Sequence, residues 1–141
     1  MTASAVTWWP EPAAGDIVWC HFPDNIGSPK PKPRPALILD VYDDDAPEFH
    51  VRVAHGTSQR VTNLYAGEFA IMQFNKAAYL QAGLSYDTKF CLQQPLDLPF
   101  NSEWFSIPPA APYGAIPKLG TLHPSFVSIA GRAYQAAHGA E

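Results

Sequence analysis

Fifteen prolines and nine glycines punctuate the 141 residues, and they limit the fold more than any other feature. Proline lacks the backbone donor that helix interiors and central strands require, and glycine weakens both. A chain interrupted this often suits short strands joined by turns and argues against a helical bundle. Enough apolar material remains for one real core, since 47% of residues are hydrophobic and only 16% are charged. That balance excludes a wholly disordered chain, and the length predicts a single domain over residues 1–141.

Between the breaks, hydrophobic periodicity outlines the elements. Residues 1–14 read as a loose N-terminal arm whose oddity is Trp8-Trp9-Pro10. The run Ile17-Val18-Trp19-Cys20-His21-Phe22 is apolar on both faces, as a buried barrel strand would be, and Pro23 ends it. Residues 36–42 predict a second strand with Leu37, Leu39 and Val41 on one face. After the solvated acidic turn 43–48, Phe49, Val51 and Val53 alternate with His50 and Arg52, a period of two with one wet face. Further strands are expected over 67–73, 88–92 and 103–107, and a short helix over 75–81, capped by Asn75 and closed by Gly83. Phe126, Ile129, Ala130, Ala133, Tyr134 and Ala137 recur at spacings of three and four, which predicts a C-terminal helix over 124–138. The expected class is mainly β (α+β) with short helices.

Composition also bounds the chemistry. A net charge of −4 speaks, taken alone, against nucleic-acid binding. Its distribution qualifies this, because Lys30, Lys32, Arg34, Arg52 and Arg60 hold five of the nine basic residues within positions 30–60. Lys30, Lys32 and Arg34 alternate with prolines in a loop over 23–35 biased toward extended polyproline II. The two cysteines, Cys20 and Cys91, lie far apart in apolar segments and are expected to be buried thiols. No CxxC or His-Cys cluster suggests a metal, and no cofactor is expected. With no charged-then-apolar leader and no run of membrane-spanning length, the expectation is a cytoplasmic protein that does not enter a membrane.

One constellation carries more information. Gly15-Asp16-Ile17-Val18-Trp19, Phe22, Gly27-Ser28 and Arg34-Pro35-Ala36-Leu37-Ile38-Leu39 together resemble the opening of the PemK/MazF toxins. Val53-Ala54-His55-Gly56-Thr57-Ser58-Gln59 is similar to that family's strand-ending threonine motif. Ala82-Gly83-Leu84 and Asp87-Thr88 resemble its later Gly-Leu and acid–small pairs. The resemblance implies a small β-barrel of the Src-homology-3 kind that forms a homodimer and pairs with a cognate antitoxin protein. It also implies cleavage of single-stranded RNA by attack of a ribose 2′-hydroxyl on the adjacent phosphate, leaving a 2′,3′-cyclic phosphate. By match to the motifs, the catalytic pair would be Arg34 and Thr57.

That chemistry suits the residue types. The nucleophile belongs to the substrate, so no metal is required, and the need is to offset charge growing on the phosphorane oxygens. Arg34 offers a planar fork of donors matched to phosphate, and it is a poor general base. Thr57 supplies a hydroxyl, although Thr57-Ser58 at a strand end also reads as a turn cap. His55, Ser58 and His50 are candidates for acid–base or supporting roles, and His21 is a further histidine. Lys30, Lys32, Arg52 and Arg60 are candidates for RNA contact, and Trp8, Trp9 and Tyr42 for base stacking. Pro29, where many relatives carry an acid, and the net charge of −4 favour a second reading. In it the barrel is catalytically inactive and binds nucleic acid or protein. An unrelated enzyme or structural barrel is the third class.

Overall fold

The computed structural model describes residues 6–22, 32–109 and 114–139, with Lys32 described by its backbone alone. Six strands run β1 (Asp16–Phe22), β2 (Lys32–Tyr42), β3 (His50–Thr57), β4 (Glu68–Ile71), β5 (Thr88–Pro99) and β6 (Lys118–Thr121). Helix α1 (Lys76–Ala82) follows β4, and α2 (Val127–His138) closes the described chain after a single 3₁₀ turn at Pro124–Phe126. The strands form one antiparallel sheet in the order β4-β5-β3-β2-β1-β6, curled into a half-barrel. The expected mainly β class with a C-terminal helix is what the chain adopts.

The sheet is buried on both faces, which explains the continuous apolar run of β1. Ile17, Leu37, Ala54, Phe69, Phe90 and Leu92 form one cluster with Phe126, Ala130 and Ala133 of the C-terminal segment. Their neighbours Val18, Cys20, Ile38, Val51, Val53 and Leu98 form a second cluster on the other face with Phe100 and Phe105. Adjacent residues therefore serve opposite cores, as the two-residue period of a strand demands. The N-terminal arm belongs to the second cluster. Trp9 packs on it, donating its indole N–H to the Phe105 carbonyl at 3.0 Å and its backbone N–H to Phe100 at 3.1 Å. The arm is anchored over its described residues, not loose.

Two irregularities correct the expected strand pattern. In the β2–β3 ladder Ile38 faces Val53 and Asp40 faces Arg52, so Leu39 is an extra residue. This bulge turns everything beyond it over. Leu37 and Leu39 stay with the first cluster, while Val41 joins the second. In β5 four residues, Leu92 to Pro95, stand opposite Ala54 alone, between the His55–Cys91 and Val53–Leu96 pairs. Pro95 sits inside this bulge, where no ladder donor is needed. The expected break after Leu92 is thus an interruption within one long strand. The Leu92 carbonyl freed there accepts from His138 of α2 at 2.7 Å.

Other expectations also shift. Residues 103–107 form no strand, because the Asn101 carbonyl and side chain take the N–H groups of Glu103, Trp104 and Phe105 into a tight turn. β6 was not expected, since Lys-Leu-Gly-Thr has no alternation of its own and is fixed only by pairing with β1. Asn75 stands at the start of α1 but its side chain turns back to accept the Met72 N–H at 2.9 Å. Gly83 closes α1 in the left-handed conformation, φ 71° and ψ 29°, as expected. Cys20 and Cys91 are buried and unbridged, and burial pushes the Cys91 thiol up to about 11.

Two close contacts fix the sheet's outer edge and its buried charge. A Cβ at Gly83 would overlap the Leu119 carbonyl, and one at Gly120 would overlap the Gln81 carbonyl, so α1 and β6 meet backbone to backbone. Between β4 and β5, Lys89 Nζ lies 2.9 Å from Glu68, with side chains only 6% and 7% exposed. Lys89 also donates to the Asn63 carbonyl, and Glu68 accepts from Gln93 and from the Tyr65 N–H. Burial alone would raise the Glu68 carboxyl, yet these donors and the Lys89 charge hold it at about 2.

Two outcomes follow for stability. Gly83→Ala and Gly120→Ala each lower the unfolding free energy by about 2–5 kcal/mol in a urea titration, whereas Gly131→Ala, which meets open space, does not. A depressed carboxyl contributes stability above its unfolded value near ~4.3 that is lost as pH falls toward the folded value of about 2. Thermal melts from pH 5 to pH 2 should therefore fall less steeply for Glu68→Gln than for the parent chain, from a lower starting point; parallel curves would refute the assignment.

Candidate active site at the open end of the β2–β3 hairpin

β2 and β3 pair across the acidic turn, and their ladder ends with Ala36 opposite His55. The open end of the hairpin therefore gathers the residues just before Ala36 and just after His55. Arg34 and Thr57 are both there, half-buried, and both line one pocket of about 420 Å³. Ser58 and Gln59 continue that wall from the end of β3. Gly56 permits the approach: a Cβ there would lie 2.9 Å from the Thr88 methyl, 3.0 Å from the Phe90 ring and 3.1 Å from the Pro35 carbonyl. The opposite walls come from Trp19 of β1, from Gly83, Leu84, Ser85, Tyr86 and Thr88, and from Leu119, Pro108 and Pro109.

Among the described residues, Arg34 is the only Lys, Arg, His, Asp, Glu or Cys that lines the pocket. The Nε of Arg34 is shielded from water. Thr57 Oγ1 accepts the Gln59 N–H at 3.2 Å, so it caps its turn and keeps its own proton for donation toward the pocket. Thr88 turns its hydroxyl away to the Tyr86 carbonyl at 2.8 Å and presents its methyl to Gly56. A cation, hydroxyls and amide groups beside apolar walls suit an anion attached to a flat or apolar group.

The remaining sequence candidates lie elsewhere. His55 points to the second core, its ring 5.3 Å from that of Phe22. His50 is at the far end of β3 against Trp8, at 5.8 Å. His21 reaches Ser106 Oγ at 2.6 Å. Arg52 lies in a separate groove under α2 with Leu39, Leu92 and Tyr134, where Asp97 takes its fork at 2.9 and 3.2 Å. Arg60 is exposed in the turn after β3, with φ 54°. Lys30, Gly27-Ser28 and Pro29 lie outside the described residues, as does the Lys32 side chain.

Of the aromatics considered for stacking, Trp9 is packed on the core, Trp8 meets His50, and Tyr42 lies 6.0 Å from the Arg52 guanidinium. None of them lines the pocket. Trp19 and Tyr86 do, and sequence reasoning gave them no site role. Trp19 was legible only as part of the strand motif, and Tyr86 reaches the site through the turn that follows α1. Among the described residues no three His, Cys, Asp or Glu side chains are grouped to hold a metal, and no helix is long and apolar enough to cross a membrane.

No curated protein matches the chain in sequence. Residues 13–86, more than half of the chain, match the family described as PemK-like, MazF-like toxin of type II toxin–antitoxin system. The matched stretch spans β1 to α1 and includes Trp19, Arg34, Gly56, Thr57 and Tyr86. The chain therefore belongs to the PemK-like, MazF-like toxins of type II toxin–antitoxin systems.

Proposed function

We propose that this toxin is a metal-independent endoribonuclease that cleaves single-stranded RNA at the Arg34–Thr57 pocket. The observation that carries the reading is that these two residues, 23 positions apart in sequence, line the same pocket. In the proposed reaction the ribose O2′ forms a bond to phosphorus as the P–O5′ bond breaks. The products are a 2′,3′-cyclic phosphate and a 5′-hydroxyl. The Arg34 guanidinium offsets the negative charge on the non-bridging oxygens, and the Thr57 hydroxyl donates to one of them. Among the described residues no imidazole or carboxylate lines the pocket; in this proposal water takes the 2′-hydroxyl proton and supplies the proton to O5′. The toxin acts in the cytoplasm, where a partner antitoxin, implied by the family, restrains it.

Assembly is part of the same reading. Phe74 is 82% exposed and Leu80 73%, two large apolar side chains that an interface would cover. The toxin forms a homodimer, and the second copy widens the surface available to RNA. A catalytically inactive binding barrel is the competing reading, favoured by the committed Arg52–Asp97 pair and by Thr57 capping its own turn.

Three outcomes test these statements. In EDTA, the parent chain cuts a long single-stranded RNA to 2′,3′-cyclic ends, and Arg34→Ala loses ~10²–10³ or more in rate while its circular dichroism is unchanged. Intact RNA with the parent chain would select the inactive barrel. The logarithm of kcat/KM shows no inflection near ~6.5 as pH is varied; such an inflection would bring a histidine into the mechanism. Light scattering at micromolar concentration gives twice the monomer mass of 15.4 kDa, and a strict monomer would refute the dimer.

A further inference from the structure

Exposed aromatics at this surface differ in one respect. Tyr86 is 69% exposed and Phe74 82%, yet only Tyr86 lines the Arg34 pocket. Its backbone is held on both sides. Gly83 sets the start of the turn in the left-handed conformation against Leu119, Asp87 accepts the Gln73 N–H at 2.6 Å, and the Tyr86 carbonyl takes the Thr88 hydroxyl. A large ring is thus presented to water on a fixed turn. Trp19 is fixed equally well, in the middle of β1 opposite Pro35, one residue from Arg34 along β2. Leu84, Leu119, Pro108 and Pro109 complete an apolar half of the pocket, and Gln59 and Ser85 add polar groups.

We infer that this apolar half is a nucleobase subsite, in which Tyr86 and Trp19 contact the face of one base while Arg34 holds the phosphate beside it. The assignment rests on the ribonuclease reading and names the part of the substrate that the non-catalytic wall recognises. The volume of about 420 Å³ is near the lower end of the ~300–1,000 Å³ range of small-ligand pockets, enough for one nucleotide and too small for a duplex. Aromatic faces tolerate any base, so Tyr86 and Trp19 supply affinity, and the Gln59 amide and Ser85 hydroxyl supply the choice among bases. Tyr86 is a substrate-positioning residue here, since it touches the substrate base and not the reacting atoms.

The test is an abasic scan. A short single-stranded 2′-O-methyl RNA, which cannot be cleaved, is titrated against the parent chain by fluorescence anisotropy with one base removed at each position in turn. One position should lose roughly 5- to 150-fold in affinity, the range for loss of one stacked base. Tyr86→Ala should weaken the intact oligonucleotide by a similar factor and abolish the penalty at that position, and Tyr86→Phe should restore both. Tyr86→Ala removes an exposed side chain and leaves the fold intact, as its urea midpoint will verify. An unchanged scan in Tyr86→Ala, or no binding by the parent chain, overturns the subsite. The ribonuclease reading fails on a separate result, intact RNA after incubation with the parent chain.

Discussion

The ladder between β2 and β3 decides where everything functional stands. Its register, with Ala36 opposite His55, sets the open end of the hairpin two residues from both Arg34 and Thr57. Because strand side chains alternate, a slip of one residue would exchange the two cores and carry the pocket residues to the wrong face. Three features pin the register. Leu37 with Ala54, and Ile38 with Val53, are buried pairs on opposite faces, and the Leu39 bulge absorbs the mismatch beyond them. At the open end, Gly56 lies against the Pro35 carbonyl, where a larger residue would separate the strands.

The far wall of the pocket depends on a different constraint. α1 touches β6 through Gly83 and Gly120, with no room for a side chain at either. That contact brings the turn bearing Leu84, Ser85 and Tyr86 to the pocket that Trp19, in the middle of β1, also lines. The buried Lys89–Glu68 pair holds β4 against β5 on the opposite edge. Removing one partner of such a pair costs about 3–5 kcal/mol, because the remaining charge stays buried. The pocket is thus assembled on backbone fixed by strand pairing and by close contacts at glycine.

Much of this was legible in the sequence, for physical reasons that differ from element to element. The two-residue period over 49–55 and the apolar run over 17–22 report burial directly, and both strands form where expected. The hairpin across the acidic turn places Arg34 and Thr57 near one end. The Leu39 bulge was not legible, because nothing in Ile38-Leu39-Asp40 marks an extra residue. β6 was not legible either, since four residues without alternation become a strand only when β1 offers an edge. Trp19 and Tyr86 joined the site through contacts between elements far apart in sequence, which no local pattern encodes.

The central claim is that the scissile phosphate of RNA sits between Arg34 and Thr57. A crystal structure of the toxin with an oligoribonucleotide carrying a 2′-deoxy sugar at the cleavage position tests it most directly. The account predicts one phosphate with its oxygens within hydrogen-bonding distance, about 3 Å, of both the Arg34 guanidinium and the Thr57 hydroxyl. A phosphate seated in the groove beside Arg52, with the Arg34 pocket filled only by water, would contradict it.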